Sequence, residues 1–397
     1  MAKDLPNNVK RQRAFDNLSI PHENRLILCL DGGGMKGIIS IQLLKKIEDI
    51  AGIPCYELFD MVAGTSTGGI IASLIATGHN AYMIEDLYDK MINDVFTERL
   101  LGNRFLNPPQ FSKSNFRKLV RNTFHDITIE SACKKFNTDV LITAKDMTAG
   151  EETFFTCFRK DDKTFTGTYR DVLLRAAVEA TMSAPTYFLP LERFVDGGTT
   201  TYNNPSMSAI IEALVYSNTG HYEKGKLSVI SLGTGAVAQF ITPEEAKNPA
   251  GLDIKFWLNW LMTETSQDAS DMQTDVLRSA VFSKDIDYRR FQISLDSNAI
   301  SKLANCSINK EKYGHEWLHD LSNVFLRSID MSDVSKYDLM KIIGNQFVQY
   351  ITSTGNNFRK DLITEKGNRD QLVTAFGDVN RIKLQMSNPD WLDNYNK

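Results

Sequence analysis

The sequence lacks the features that would direct it to nucleic acid or through a membrane. Its 45 lysines and arginines are outnumbered by 49 aspartates and glutamates, so the basic surface that nucleic acid requires is missing. Residues 1–24 are polar and contain no apolar run of the kind that forms a secretory signal. The uncharged stretch Met61 to Ile84 is long enough to span a bilayer, but its glycines and polar residues favour an internal core segment. We therefore expect a cytoplasmic protein without nucleic-acid partners.

Cysteine is scarce, and no repeat or low-complexity linker divides the chain. The cysteines are odd in number and set mostly among apolar residues, which favours reduced thiols over a disulfide framework; they are Cys29, Cys55, Cys133, Cys157 and Cys306. Hydrophobic residues make up 42% of the 397 positions and charged residues 24%, as in a globular protein that buries a core. We expect one large domain with a helical C-terminal part.

Strand-like and helix-like patterns alternate from residue 25 onward. Arg25 to Asp31 is a short apolar run followed by glycines, and Gly37 to Ala51 repeats apolar residues at helical spacing. "DMVAG" and "GGIIASLIATG" repeat this order, which predicts a parallel sheet with helical crossovers. Further strands are predicted at "DVLITAK", "TFFTCF", "RFVD", "LSVISLG" and "YRRFQISL", and helices dominate from about Asp253. We divide the chain into a loosely docked extension (1–24), a main domain (25–297) and a helical part packed on it (298–397).

The segment "AGTSTGG", Ala63 to Gly69, places one serine among small residues between a predicted strand and a predicted helix. In this context G-x-S-x-G, here Gly64, Ser66 and Gly68, is typical of a nucleophile elbow. The sharp turn exposes the serine hydroxyl, and the glycines relieve the crowding that the turn causes. The alternative is a small-residue turn that only packs. We favour a catalytic Ser66.

A second glycine cluster, "DGGGMKG" at Asp31 to Gly37, also follows a predicted strand. Its spacing matches the dinucleotide fingerprint, but the acidic residue that would hold the ribose is absent, since Asp60 precedes the second strand instead of ending it. A glycine turn that opens a helix also presents unpaired N–H groups to a developing oxyanion. We favour that function over a nucleotide site and over a tight turn without a ligand.

A serine nucleophile requires a base, and the six histidines offer no convincing candidate. His315 and His319 are four residues apart in a stretch of helical appearance, but without a third ligand nearby we interpret them as a solvated helix face. Asp196 ends the predicted strand "RFVD" and is followed by Gly197 and Gly198. An aspartate at the carboxyl end of a strand in a parallel sheet points into the crevice where ligands bind. We therefore favour Asp196 as the base.

Together the three clusters resemble the pattern of the patatin-like phospholipase family, which is D-G-G-G-x-[KR]-G, then G-x-S-x-G, then D-G-[GA]. The segment "ATMSAPTYFLP" is similar to the family's stretch before the third motif. "LSVISLGTG" and "TPEEAKNPAGLDIKFWLNWLM" are similar to the corresponding part of plant patatins. The resemblance runs from about Arg25 to about Leu295 and implies a three-layer α/β/α fold with a central, mostly parallel sheet.

The resemblance also implies an activity and the roles of the site residues. The expected reaction is hydrolysis of acyl esters of glycerophospholipids by a Ser66–Asp196 dyad through an acyl-enzyme, without a metal or a cofactor. By position, the oxyanion hole is formed by Gly32, Gly33 and Gly34, and the motifs are supported by Asp31, Lys36, Gly37, Gly64, Gly68, Gly197 and Gly198. Lys36 is either a contact for an anionic head group or a surface lysine.

The expected partner is a phospholipid or another acyl-ester lipid, with peripheral contact at a membrane. The apolar helix predicted at Ile254 to Met262 is assigned either to the core or to an acyl channel or lipid interface. Some bacterial members of the family are activated by signalling nucleotides, although no motif in this sequence identifies such a site. The alternative function is a patatin-fold storage or structural protein with residual esterase activity. Intact Ser66 and Asp196 argue against an inert role.

Overall fold

The computed structural model describes residues 8–96, 111–158, 169–217, 221–237, 254–363 and 386–394. The strands are β1 Arg25–Leu30, β2 Met61–Thr65, β3 Asp139–Asp146, β4 Glu151–Thr156, β5 Phe194–Asp196, β6 Leu227–Leu232, β7 Ile286–Gln292 and β8 Leu362–Ile363. The α-helices are α1 Val9–Leu18, α2 Gly37–Ala51, α3 Cys55–Leu58, α4 Thr67–Ala76, α5 Ala81–Val95, α6 Ser114–Phe124, α7 Ile129–Phe136, α8 Leu174–Thr181, α9 Ser206–Ile211, α10 Ile254–Arg278, α11 Ser297–Ser301, α12 Lys310–Tyr313, α13 Asn323–Arg327, α14 Tyr337–Ser353 and α15 Pro389–Asn394. The predicted patatin-like segment at 242–253 and the predicted helical stretch at 364–385 lie outside the described residues.

The sheet is mostly parallel, as predicted. Its strand order is β4-β3-β2-β1-β6-β7-β8, and every neighbouring pair from β3 to β8 in this order is parallel. Strands β4 and β5 both pair antiparallel with β3. Parallel neighbours require crossover connections, and the predicted alternation of strand and helix from β1 to α4 is confirmed. Helix α2 begins and ends at its predicted residues.

Helices cover both faces of the sheet, because the side chains of a buried strand point alternately to its two sides. In β1, Leu28 and Leu30 belong to a hydrophobic cluster that includes residues of α1, α2, α4 and α5. Ile27 and Cys29 belong to a second cluster, which includes residues of α9 and α10. The three-layer α/β/α architecture that the resemblance implies is therefore confirmed.

The expectation of a loosely docked N-terminal extension is wrong for residues 8–24. One face of helix α1 is buried, and Arg11 within it is completely inaccessible to solvent. The Arg11 guanidinium donates to the Leu58 backbone oxygen and, at 2.5 Å, to Asp60 Oδ2. Asp60 also accepts the backbone N–H of Leu26 in β1. A buried ion pair thus connects helix α1 to the amino-terminal ends of β1 and β2, and no local sequence pattern could predict this pair.

The C-terminal part contributes both to the sheet and to a helical layer. Strand β8 pairs with β7, with Leu362 opposite Phe291. Helix α14 approaches α2 closely, since a Cβ on Gly344 would lie 3.1 Å from the Ile39 Cα. The domain boundaries after residues 24 and 297 stay predictions. Within the described part of the chain, no helix combines the length and the apolar character needed to cross a membrane.

Candidate active site

Ser66 occupies a strained turn between β2 and α4. Its backbone has φ 54° and ψ −124°, an unusual conformation for a residue other than glycine. The neighbouring glycines are required by space. A Cβ on Gly64 would lie 2.1 Å from the Gly68 backbone oxygen, and a Cβ on Gly68 would lie 2.2 Å from the Leu30 oxygen. With the Ser66 N–H held by Thr181 Oγ1 at 2.8 Å, the turn has the geometry of a nucleophile elbow.

Strand β5 brings Asp196 to Ser66 by a route that the sequence analysis did not predict. Strand β2 ends where Thr65 pairs with Thr143 of β3. Strand β5 pairs antiparallel with the residues of β3 that follow, so that Asp196 lies opposite Ala144. The parallel arrangement assumed for Asp196 is therefore wrong. Because β5 runs back toward the end of β2 along the same edge of β3, the carboxyl ends of the two strands nevertheless meet.

Asp196 is 3% exposed and lines the same cleft as Ser66. Burial raises the pKa of Asp196 to about 6, while the hydrogen bonds from Ser66 and Gly198 and the charge of Lys113 oppose this rise. The Gly198 N–H donates to Asp196 Oδ1 at 2.7 Å. The Ser66 Oγ also lies 3.8 Å from the Met182 sulfur. A carboxyl group with this pKa is a stronger base than an exposed aspartate and is still mostly ionised at pH 7.

The glycine loop formed by Gly32, Gly33 and Gly34 lies beside Ser66, but its three N–H groups have different surroundings. The Gly32 N–H donates to the Asn203 backbone oxygen at 3.3 Å. Among the described residues, the N–H groups of Gly33 and Gly34 have no acceptor. Gly33 also lines the cleft that contains Ser66. The predicted oxyanion hole stays a prediction, and the Gly33 N–H is its best-placed donor.

A buried ion pair anchors the start of the glycine loop. Arg290 of β7 donates to both carboxylate oxygens of Asp31, at 2.7 and 2.5 Å, and both side chains are almost completely buried. The same guanidinium donates to the hydroxyls of Ser231 and Ser270. Asp31 was expected to support the motif. Sequence analysis missed Arg290, because a partner 259 positions away leaves no local signal.

The remaining motif glycines allow close approaches behind the site. A Cβ on Gly37 would lie 2.5 Å from the Tyr88 hydroxyl, and a Cβ on Gly197 would lie 2.1 Å from Thr143 Oγ1. The Tyr88 hydroxyl itself donates to the Gly34 backbone oxygen at 2.5 Å. A side chain at Gly37 would therefore displace a contact that holds the glycine loop.

Lys36 lines the same cleft, immediately before α2. Burial lowers the pKa of the Lys36 ammonium, and the charge of Asp330 opposes this. In the described part of the chain, the ammonium has no hydrogen-bonded partner. A shielded cation without such a partner favours the anion-binding interpretation of Lys36 over that of a surface lysine.

The cleft around Ser66 opens to solvent and has a volume of about 160 Å³. Helix α10 contributes Thr263, Ser266, Gln267 and Ser270 to the lining of the cleft. The cleft therefore joins the three glycine motifs to helix α10, whose first residues sequence analysis had assigned either to the core or to an acyl channel or lipid interface.

The predicted helix at Ile254 to Met262 is confirmed as the start of α10. Trp257 and Leu261 on this segment are 43% and 52% exposed. The ring of Trp257 packs edge-on against that of Trp260, with centroids 5.9 Å apart. This exposure, just before the part of α10 that lines the cleft, favours the lipid-interface interpretation of Trp257 over core packing.

No histidine of the described residues lines the cleft. The interpretation of His315 and His319 as one helix face is wrong, because helix α12 ends at Tyr313, His315 lies outside any helix, and His319 lies in a separate 3-10 helix, Leu318–Asp320. The His315 ring packs against Phe325, and His319 Nε2 lies 2.9 Å from the Leu303 oxygen. Both rings therefore contact other residues of the C-terminal part.

One cluster within the described residues has side chains suited to a metal ion. The potential ligand atoms of Cys133, Asp139 and Cys157 lie within 4.8 Å of one another. Asp139 already accepts the Tyr222 hydroxyl at 2.7 Å and the Cys157 thiol at 3.3 Å. Asp139 begins β3, next to the start of β2, whereas Ser66 follows the other end of β2. The cluster is therefore separate from the cleft.

Comparisons with known proteins agree with the motifs. Residues 28–210 match the sequence profile of a family described as patatin-like phospholipase. The mouse 85/88 kDa calcium-independent phospholipase A2 is 33% identical over 59% of this chain and 30% of its own length. From Escherichia coli, a cUMP-AMP-activated phospholipase is 32% identical over 66% of this chain and 78% of its own length. A cGAMP-activated phospholipase from Escherichia coli strain TW11681 is 30% identical over 59% of this chain and 67% of its own length. The chain thus spans less than a third of the mouse relative and about two thirds or more of the bacterial ones.

Proposed function

Because the chain belongs to the patatin-like phospholipase family, we propose that it is a lipid acyl hydrolase that cleaves acyl esters of glycerophospholipids. The observation that carries the proposal is that the strained Ser66 and the buried Asp196 line one cleft together with the glycine loop. A storage or structural protein needs neither a strained serine nor a base beside it. The geometry therefore supports an enzyme of the phospholipase A or lysophospholipase type.

In the first half of the reaction, Ser66 Oγ attacks the carbonyl carbon of the ester and Asp196 accepts the hydroxyl proton. The carbonyl oxygen becomes an oxyanion, which the N–H groups of Gly33 and Gly34 stabilise by hydrogen bonding. When this intermediate collapses, the bond to the glycerol oxygen breaks and Asp196 returns the proton to that oxygen. The products of this half are a lysophospholipid and an acyl-enzyme on Ser66.

In the second half, a water molecule attacks the acyl-enzyme carbonyl and Asp196 accepts one of its protons. The same glycine donors stabilise the second oxyanion. Collapse releases the fatty acid, and the proton on Asp196 returns to Ser66 Oγ. The two residues therefore complete the cycle without a histidine.

The position of Lys36 supports a phosphate-containing substrate. Lys36 lines the cleft, its ammonium has no hydrogen-bonded partner among the described residues, and the charge of Asp330 favours its charged form. A lipid phosphate entering the cleft would supply the missing acceptor in a charge-assisted hydrogen bond. Lys36 is therefore proposed to contact the head group while Ser66 attacks the acyl ester.

The proposal is tested by fatty-acid release from mixed phospholipid vesicles. The native protein is compared with Ser66→Ala, Asp196→Asn and the double variant, each with and without cUMP-AMP or cGAMP, because two relatives are named for activation by these nucleotides. We expect both single variants to lose nearly all activity, since an amide cannot accept the serine proton. The double variant should be little worse than either, because a dyad acts as one unit.

Ser73→Ala is the matched control, since Ser73 lies on α4 and donates within that helix to the Gly69 oxygen. It should retain native activity and a single fluorophosphonate label at Ser66. Labelling that persists in Ser66→Ala would contradict the assignment of the nucleophile. Full activity in Asp196→Asn, or complete loss in a folded histidine variant, would replace the dyad with another base. Absence of release under every condition would favour the storage alternative.

A further inference from the structure

A lysine that belongs to none of the three motifs is buried behind Asp196. Lys113 precedes helix α6, and only 6% of its side chain is exposed. Its ammonium donates to Ser183 Oγ at 2.6 Å, and that hydroxyl donates in turn to the Glu179 backbone oxygen. The Ser183 backbone oxygen accepts the N–H of Asp196 at 3.1 Å. One serine therefore connects the ammonium group to the backbone of the proposed base.

The charge of Lys113 is only weakly compensated by its acidic neighbour. Glu179 forms three hydrogen bonds of 2.6 to 3.0 Å with the guanidinium of Arg117. The distance from Lys113 Nζ to Glu179 Oε1 is longer, at 3.4 Å. Arg117 therefore provides the main counter-ion of Glu179, and a positive charge is left between that pair and Asp196.

Three other described cations near β5 are paired with carboxylates. These pairs are Arg193 with Asp146 at 2.6 Å, Lys145 with Glu152 at 3.3 Å, and Arg175 of α8 with Asp126 at 2.8 Å. Their fields largely cancel beyond the pair, and the exposed members are screened by solvent. Lys36 also lines the cleft and lies within the field of Asp330, whereas Lys113 is the described cation that Ser183 joins to the backbone of Asp196.

We propose that Lys113 is a positioning residue for the reaction, whose charge stabilises the ionised form of Asp196 that accepts the Ser66 proton. The inference rests on the proposed function, because it assigns the role of base to Asp196. Burial alone would favour the protonated carboxyl group, which cannot act as a base. The Lys113 charge lowers the pKa of Asp196 against this effect. Burial lowers the pKa of Lys113 itself, while first Glu179 and then Asp196 favour its charged form.

The test is the pH profile of kcat/KM for a soluble p-nitrophenyl ester, which removes membrane binding from the measurement. The acid limb of this profile reports the ionisation of the base. In Lys113→Met we expect the limb to move to higher pH by on the order of 1 pH unit, as for the loss of one nearby charge in a protein interior. Lys113→Arg should restore the native profile, because it keeps the charge.

Glu179→Gln provides a second test with the opposite sign. It leaves the positive charges of Lys113 and Arg117 without their shared counter-ion, so the acid limb should move to lower pH. This variant decides the question if Lys113→Met does not fold. The matched control is Lys145→Met, because Lys145 lies opposite Val195 of β5 but is paired with Glu152. Its profile should be native.

The outcomes separate this inference from the proposed function. If Asp196→Asn retains activity, the proposed base is wrong and the profile has another origin. If Asp196→Asn is inactive but folded Lys113→Met keeps the native acid limb, Lys113 has no such role. A limb that does not move in Glu179→Gln also overturns the inference. Equal shifts in Lys113→Met and Lys145→Met would assign the effect to net charge, which contradicts a specific role of Lys113.

Discussion

Removal of one partner from the buried Asp31–Arg290 pair should destabilise the whole protein. Asp31→Asn keeps the shape of the side chain but leaves the Arg290 guanidinium, which is 1% exposed, without its counter-ion. Breaking a buried ion pair in this way typically costs about 3–5 kcal/mol in the free energy of unfolding. The hydrogen bonds to Ser231 and Ser270 involve neutral hydroxyls and do not replace the lost charge. We expect a loss in that range, which is a large part of the total stability of a typical domain.

The double variant Asp31→Leu with Arg290→Met distinguishes a charge effect from a packing effect. Replacing both partners by apolar side chains removes the buried charge altogether, and such exchanges are often neutral or stabilising. The double variant should therefore be more stable than Asp31→Asn. Its ester hydrolysis should nevertheless be slower than that of the native protein. The reason is that the glycine loop loses the ion pair that holds it beside Ser66.

The measurement is urea unfolding followed by tryptophan fluorescence, with ester hydrolysis per folded molecule measured in parallel. The control is Glu316→Gln, which breaks an exposed pair with Lys310 of 3.4 Å and should change the free energy of unfolding by about 0–1 kcal/mol. If the free energy of unfolding of Asp31→Asn is within about 1 kcal/mol of the native value, the ion pair does not anchor the loop as argued. A double variant less stable than Asp31→Asn would also refute the charge argument.

Two further predictions concern lipid recognition. Lys36→Met should lower kcat/KM for phospholipids roughly 10- to 100-fold, the equivalent of one lost charge-assisted hydrogen bond, and leave neutral p-nitrophenyl esters nearly unaffected. Lys36→Arg is the charge-conserving control, and equal losses on both substrates would contradict a phosphate contact. Replacing Trp257 and Trp260 by Ala should weaken binding to phospholipid vesicles but preserve the unfolding midpoint, because Trp257 is 43% exposed. Loss of folding would instead indicate core packing, and unchanged vesicle binding would contradict the interface.

Features with a local physical cause could be predicted from the sequence. The apolar spacing between Gly37 and Ala51 predicts a helix at the residues where α2 is found. The glycines beside Ser66 predict a tight turn, because any side chain at Gly64 or Gly68 would collide with backbone atoms about 2 Å away. Family membership follows from three such local patterns in order. Apart from the contact between Gly68 and Leu30, the determining atoms lie within a few residues of one another.

Only the tertiary structure decided how distant residues surround these patterns. The antiparallel direction of β5 depends on pairing with β3, since three residues alone specify no direction. Arg290 reaches Asp31 across 259 positions, and Lys113 reaches Ser183 across 70. A buried charge is stabilised by whichever opposite charge or hydroxyl the folded chain brings within about 3 Å, and such contacts leave no periodic trace in the sequence. The sequence by itself therefore determined the nucleophile candidate and its turn, whereas the electrostatic environment of its base was decided by the fold.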